Sequence, residues 1–161
     1  MITQKRLHEI FEYDPRTGYF KNKINRSGTS RIGDIVSCID RKGYVRSLVD
    51  GKNYFFHRLA WLYVYGEYPT CQIDHINCIK NDNRIDNLRL ATNSQNKCNS
   101  KVRKDSQSGI KGVTEDKRTG RWRAHICLNG KRTWLGFFAT KEEAHKARIA
   151  ANYIHGEFAR I

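Results

Sequence analysis

The sequence lacks several features that define common protein classes. No run approaches the roughly 18 apolar residues that a membrane-spanning helix requires, and no apolar stretch follows the charged N-terminus, so we expect neither a membrane anchor nor an export signal. Prolines number only two while 39% of the residues are hydrophobic, which is too much apolar material for a disordered tail. We therefore expect a protein of the cytosol or a nucleus, built from small folded modules.

Cysteine pairs and acidic residues are also scarce. The five cysteines are an odd number and form no C-x-x-C pair, which argues against a disulfide framework or a zinc knuckle. Only 16 Asp and Glu oppose 30 Lys and Arg, so the formal net charge is +14. A basic excess spread along the whole chain favours a long polyanion as partner, with solvated surface lysines as the alternative. Composition thus points to nucleic acid.

Local patterns predict an α+β protein made of small modules. The N-terminal part reads as a helix capped by Thr3, with apolar Leu7, Ile10 and Phe11 at helical spacing and an end in the turn at 14–18. After it come segments in which apolar residues alternate with polar ones, as in strands, and then a buried helix that ends at Gly66. The predicted strands are 19–20, 35–36, 44–49 and 54–56, and the buried helix is 58–65.

The rest of the chain divides into three further stretches. An asparagine-rich stretch, 72–99, contains a strand over 87–91 and a capping-box signature, Thr92 with Gln95, for a helix that begins at Asn93. A basic stretch poor in apolar residues follows and predicts a linker. The last fifty residues predict a module of three strands and one helix with a narrow apolar stripe. Its strands are 110–113, 121–128 and 133–138, and its helix has Thr140 as cap, Ala144, Ala147, Ala151 and Ile154 as stripe, and Gly156 as stop.

One cluster of residue types could perform chemistry. Asp74 and His75 are adjacent at the end of a predicted strand, and Asn83, Asn87 and Asn96 follow within a short distance in sequence. Carboxylate and amide oxygens suit Mg²⁺ or Mn²⁺, and a neighbouring imidazole could act as a general base. The alternative is that Asp74 and His75 only cap a turn in an asparagine-rich loop.

Residues 56–99 resemble the HNH endonucleases of the ββα-metal class, in particular the homing enzymes of bacteriophages. The resemblance is carried by Phe56-His57-Arg58-Leu59-Ala60-Trp61, Ile73-Asp74-His75-Ile76-Asn77, Asn81-Asp82-Asn83-Arg84, Asp86-Asn87-Leu88-Arg89 and Ala91-Thr92-Asn93-Ser94-Gln95-Asn96. It implies that His75 is the general base, that Asn87 ties strand and loop together, and that Asp74 and Asn96 hold one Mg²⁺ or Mn²⁺. The metal would stabilise the leaving 3′ oxygen while water activated by His75 attacks.

One position departs from the pattern of this family, and two others have separate expected roles. Cys78 stands where relatives commonly have Gly, so a positive φ there would strain or reshape the loop. His57 is expected to belong to the scaffold, and Arg58 is a candidate phosphate contact.

Residues 108–161 resemble a second family, the DNA-binding domain of the plant APETALA and ethylene-response-factor proteins. The motifs are Gly109-Ile110-Lys111-Gly112-Val113, Gly120-Arg121-Trp122-Arg123-Ala124, Asn129-Gly130-Lys131-Arg132, Trp134-Leu135-Gly136-Phe137-Phe138, Glu142-Glu143-Ala144 and His155-Gly156-Glu157-Phe158-Ala159. The resemblance implies a sheet that enters the major groove of DNA. Thr114 and Cys127 stand where the plant domains often have Arg, so no target sequence can be transferred.

Alternation in the predicted second strand independently separates two faces of that sheet. Trp122, Ala124, Ile126 and Leu128 would face the helix, whereas Arg121, Arg123 and His125 would face outward together with Lys111, Arg132 and Trp134. A solvated sheet face is the alternative to a DNA-reading one. The expected DNA contacts are Lys111, Arg121, Arg123, His125, Lys131, Arg132 and Trp134, together with Lys101, Arg103 and Lys104 of the linker.

These observations favour a homing-type, metal-dependent endonuclease that acts on double-stranded DNA. The expected division is 1–55 for a β-rich segment, 56–100 for the HNH module, 101–109 for the linker and 110–161 for the DNA-binding domain. With one catalytic site per chain, we expect a monomer that nicks, or two chains that cut opposite strands, in the host cytoplasm if a phage encodes the protein. A non-catalytic DNA-binding regulator is the first alternative, and an RNA-binding protein is a weaker one.

Overall fold

The structure is a computed structural model that describes residues 1–26, 28 and 30–158. This part of the chain contains four α-helices and small antiparallel sheets, as the predicted α+β class requires. Within it, no helix has the length and apolar character needed to cross a bilayer. The chain divides into two compact units, Met1–Ala91 and Thr92–Ile161.

The N-terminal unit consists of two helices and three two-stranded hairpins. Its elements are α1 (Gln4–Ile10), β1 (Phe11–Asp14), β2 (Tyr19–Asn22), β3 (Arg46–Val49), β4 (Lys52–Phe55), α2 (Phe56–Tyr65), β5 (Gln72–His75) and β6 (Leu88–Ala91), with a short 3-10 turn at Ile85–Asn87. Antiparallel pairs form between β1 and β2, between β3 and β4, and between β5 and β6.

Local chemistry sets the ends of several of these elements as predicted. The Thr3 hydroxyl accepts a hydrogen bond from the backbone of Arg6 at 3.2 Å and so caps α1. Asp50 and Gly51 have φ angles of 46° and 76°, as the tight turn between β3 and β4 demands. Gly66, with φ of 77°, ends α2 in the left-handed conformation.

Two N-terminal predictions were wrong. Helix α1 ends at Ile10, because Phe11 is extended and opens β1, where Phe11 and Tyr13 are buried on either side of exposed Glu12. The turn at 14–18 therefore joins two strands rather than ending a helix. Residues 35–36 form no strand, and Ile35 contributes only an isolated bridge to Lys21.

One hydrophobic core unites the N-terminal unit. Phe11, Phe20 and Phe56 meet edge to face, with ring centroids 4.8–5.8 Å apart. Ile73 of β5 and Leu88 of β6 are buried in the same core. The β5–β6 hairpin, which carries the Asp-His pair, is thereby fixed to the body of the unit.

The C-terminal unit contains two helices and a three-stranded sheet of order β7-β8-β9. Its elements are α3 (Asn93–Asn99), β7 (Val113–Asp116), β8 (Arg121–Leu128), β9 (Lys131–Phe138) and α4 (Lys141–Ala150), followed by a kinked 3-10 segment, Ala151–Phe158. The capping boxes predicted for α3 and α4 are both present. Buried Ala144 lets α4 pack closely on Val113 and Ala124 of the sheet.

Two element boundaries in this unit differ from prediction. β7 begins at Val113 instead of ending there, and α4 ends at Ala150, with Gly156 as a kink in the 3-10 segment rather than a helix stop. A register shift in β9 places Gly136 opposite Ala124 but Trp134 opposite His125. The predicted inward orientation of Leu128 and the motif residue Ala159 lie outside what the structure describes.

Candidate active site and nucleic-acid interface

The carboxylate of Asp74 is held in a buried ion pair. Asp74 lies directly opposite Arg89 in the β5–β6 register. Nε and Nη2 of Arg89 both lie 2.9 Å from Oδ2 of Asp74, and both side chains are largely removed from solvent. The guanidinium group therefore orients the carboxylate and offsets its buried charge. Sequence reasoning missed this role of Arg89, although the hairpin register could have indicated it.

His75 is buried at the end of β5 and is only 4% exposed. Burial lowers the pKa of His75, whereas its contact with Asn83, 3.5 Å from Nε2 to Oδ1, acts in the opposite direction. Its imidazole is therefore neutral near pH 7, and the neutral form is the one that can accept a proton.

Two aromatic side chains pack against His75. The ring of His57 lies 5.2 Å from that of His75, and the ring of Tyr44 lies 5.9 Å away. Burial lowers the pKa of His57 to about 3, and its Nδ1 has no hydrogen-bond partner among the described residues. A neutral, buried His57 fits the expected scaffold role.

The N-terminal hairpin supports the loop that carries Asn83. The hydroxyl of Tyr13 donates a hydrogen bond to the backbone oxygen of Asn83 at 2.7 Å. A Cβ atom at Gly18 would lie 2.4 Å from the backbone nitrogen of Arg84, so only glycine fits at this point of the β1–β2 turn. Sequence reasoning missed this support, because no local pattern links residues 13–18 to residue 83.

Asn87 ties the loop after β5 to β6. Its Oδ1 accepts from the backbone of Asn77 at 3.0 Å, and its Nδ2 donates to the backbone oxygen of Asp82 at 2.8 Å. These are hydrogen bonds of the kind that the HNH resemblance implied for this position. Cys78, in the same loop, has a φ of 58°. This left-handed backbone conformation favours glycine, the expected family residue here, but in this chain a residue with a Cβ atom adopts it.

The proposed metal ligands are one carboxylate and one amide. Asp74 lies at the end of β5, and half-buried Asn96 lies in α3. Among the described residues, no cluster of three or more His, Cys, Asp or Glu could form a closed metal cage. A small number of oxygen donors fits Mg²⁺, which usually keeps water and binds substrate phosphates alongside one or two carboxylates.

The outer face of the β7–β9 sheet carries cationic and aromatic groups. The guanidinium of Arg132 lies 5.4 Å from the centre of the Trp134 ring, and the His125 ring also lies 5.4 Å from it. Nη2 of Arg121 donates to the backbone oxygen of Phe137 at 3.3 Å. Trp134 and Phe137 are both about half exposed. Phe137 was not among the predicted contacts, although its place opposite Arg123 in the register puts it on this face.

The other predicted DNA contacts are Lys101, Arg103, Lys104, Lys131 and Lys111. Lys101, Arg103 and Lys104 are exposed in the segment after α3, and Lys131 is exposed as the first residue of β9. Lys111 precedes β7 and turns its ammonium group to the C-terminal end of α3. The structure thus shows for Lys111 a contact different from the one expected on the outer face.

Comparisons with known proteins match both parts of the chain. The family model described as HNH endonuclease matches residues 54–98, and the model described as AP2 domain matches residues 108–156. Protein 3.8 of Escherichia phage T7 is 31% identical over 106 residues, which cover 65% of this chain and 88% of that protein. The uncharacterized HNH endonuclease L560 of Acanthamoeba polyphaga mimivirus is 29% identical over 123 residues, covering 75% of this chain and 63% of that protein. No solved structure matches.

The matched segments coincide with the site and the sheet described above. The first contains Asp74, His75, Asn87 and Asn96, and the second contains β7, β8, β9 and α4. A nuclease segment followed by a DNA-binding segment defines the class of protein. The chain belongs to the HNH endonuclease family and carries an AP2 domain after its HNH segment.

Proposed function

We propose that this protein is a homing-type, metal-dependent endonuclease that hydrolyses phosphodiester bonds in double-stranded DNA. The proposal rests on the arrangement of side chains at the end of β5. There a buried, neutral His75 follows Asp74, whose carboxylate Arg89 holds in place. A proton acceptor beside an oriented anionic ligand is what metal-assisted hydrolysis of a phosphodiester requires.

In this proposal each residue has a distinct task. His75 takes the proton of the attacking water, Asn83 orients the imidazole through Nε2, and Asn87 keeps the loop closed beneath it. Asp74 and Asn96 would hold Mg²⁺ or Mn²⁺, which supplies charge neutralisation for the leaving 3′ oxygen. Arg89 would hold the Asp74 carboxylate in a fixed orientation before the metal binds.

The C-terminal sheet would bring this chemistry to its target. Arg121, Arg123 and Arg132 can donate to base edges or phosphates in the major groove, with His125 and Trp134 packed beside them. Lys101, Arg103, Lys104 and Lys131 would contact the backbone. Because each chain has one such set of residues, we propose that a monomer nicks one strand per binding event. Since both relatives are viral, we propose action in a host cytoplasm.

Conversion of supercoiled plasmid tests the proposal. We expect nicking with Mg²⁺, none with EDTA, and none by His75→Ala at the same protein concentration. His145→Ala, which removes a histidine of α4, is the matched control and should nick like the wild type. Full activity of His75→Ala would disprove the assignment of the base.

A non-catalytic DNA-binding regulator is the second candidate. It is favoured by the outer face, since Arg132 and Trp134 provide DNA-binding chemistry that needs none of the motif residues. DNA that is bound but remains uncut with Mg²⁺ and with Mn²⁺ would support this candidate over the nuclease.

A further inference from the structure

We propose that Lys111 is a positioning residue for cleavage, because its ammonium group fixes α3 to the body of the C-terminal unit. Helix α3 carries Asn96, so Lys111 would set how well the amide ligand is held. The inference rests on the proposed function, in which Asn96 binds the metal.

The contacts of Lys111 are those of a helix C-terminal cap. Its Nζ lies 2.6 Å from the backbone oxygen of Lys97, 2.8 Å from that of Cys98 and 2.9 Å from that of Ser100. It also lies 3.0 Å from the Ser100 hydroxyl. The last carbonyls of a helix lack the usual amide donor four residues ahead and carry partial negative charge, so an ammonium group is a favourable donor to them. At Lys97 it adds to the hydrogen bonds that the backbone and hydroxyl of Ser100 already donate.

Helix α3 has two further contacts with the sheet region of its unit, one near each end. The Ser94 hydroxyl, in the first turn, accepts a hydrogen bond from the backbone of Asn129 at 2.7 Å. The thiol of Cys98 lies 3.7 Å from the backbone oxygen of Cys127. β7 pairs only with the first four residues of β8, and these contacts join α3 to the strand end that β7 does not reach. Both ends of the helix are therefore fastened to one unit.

The length of α3 makes these attachments important. It has only seven residues, and isolated helices of that length are unstable in water. Without the ammonium group the helix would fray, and Asn96 would hold the ligand geometry for a smaller fraction of the time. The apparent metal affinity falls in proportion to that fraction. Loss of Lys111 should therefore raise the Mg²⁺ requirement.

The AP2 resemblance implies a competing role, a contact between Lys111 and DNA. The two roles predict opposite results. A phosphate contact should weaken DNA binding and leave α3 unchanged, whereas a helix anchor should loosen α3 and leave binding in EDTA unchanged. Lys111→Met keeps much of the aliphatic stem while removing the charge. Lys146→Met removes an exposed lysine of α4 and serves as the matched control.

The experiment combines three measurements on the full chain. Hydrogen exchange without DNA or metal reports on residues 93–100 and on β8, plasmid nicking gives the Mg²⁺ midpoint, and titration in EDTA gives the DNA Kd. For Lys111→Met we expect faster exchange in α3 with β8 unchanged, a Mg²⁺ midpoint raised roughly three- to tenfold, and a Kd within about twofold of the wild type. Lys146→Met should match the wild type in all three.

Other results would overturn the inference. Unchanged exchange in α3, or weaker DNA binding with an unchanged Mg²⁺ midpoint, would show that Lys111 is not an anchor. If Lys111→Met also loses protection in β8, the less disruptive Lys111→Gln, which removes the charge but keeps a polar end, replaces it. Unchanged α3 exchange in Lys111→Gln would likewise refute the inference. The exchange readout needs neither DNA nor metal. A wild type that fails to cleave would therefore refute the nuclease, not the anchor.

Discussion

Asp74 and Arg89 face each other across the β5–β6 hairpin and form a buried ion pair in the candidate site. Removing one member of a buried pair leaves the other charge without compensation, which costs far more than losing an exposed pair. We predict that Arg89→Met lowers the free energy of unfolding by about 3 kcal/mol in urea denaturation. Arg6→Met, which removes the exposed partner of Asp50, is the control and should have a much smaller effect. Equal losses would contradict the importance of burial.

Burial of His57 links stability to pH. Its folded-state pKa of about 3 lies below the ordinary value of 6.5, so the unfolded chain binds the proton first as the pH falls. Stability is then complete above about pH 6.5 and declines toward pH 3. We predict a loss of about 2 kcal/mol between pH 7 and pH 5. His57→Phe should lose most of this dependence, although buried His75 keeps a part of it; an identical slope in both proteins would refute the assignment.

At the scale of elements, the loop between β5 and β6 stores backbone strain at Cys78. Its φ of 58° is costly for a residue with a Cβ and costs nothing extra for glycine. Cys78→Gly should stabilise the protein by about 1 kcal/mol, after allowing for the greater freedom of glycine in the unfolded chain. Cys78→Ala keeps the Cβ and should bring no gain in thermal denaturation. A gain in both variants would instead implicate the thiol.

Elements with local signals were predictable from the sequence. The turn at Asp50 and Gly51, the capping box of α3 and the end of α2 at Gly66 each depend on residues within one turn of the feature. The Asp74–His75 pair at a strand end followed from the same kind of pattern. The support of Asn83 by Tyr13 did not, because it joins residues 70 positions apart. Lys111 was expected on the outer face of the sheet. Its contact with α3 could not be predicted, because the alternation of residues along a strand carries no information about tertiary contacts.

At the scale of the whole molecule, the net charge of +14 makes binding to DNA dependent on salt. Exposed Lys101, Arg103 and Lys104 add to the cations of the β7–β9 face. If about six to ten of these groups neutralise phosphates, the DNA affinity should fall by about 10³–10⁵ between 50 and 200 mM salt. Fluorescence anisotropy with a labelled duplex in EDTA measures this directly. A flat response would contradict backbone contacts as the main source of affinity.

The role of His75 is tested most directly by comparing the DNA cleavage rates of His75→Ala and the wild type under single-turnover conditions, with DNA fully bound and Mg²⁺ saturating. Under these conditions neither affinity for DNA nor affinity for metal limits the rate. If His75 takes the proton of the attacking water, His75→Ala should cleave about 10²–10⁴ times more slowly than the wild type while its DNA Kd stays the same. A His75→Ala rate within threefold of the wild type would contradict His75 as the general base.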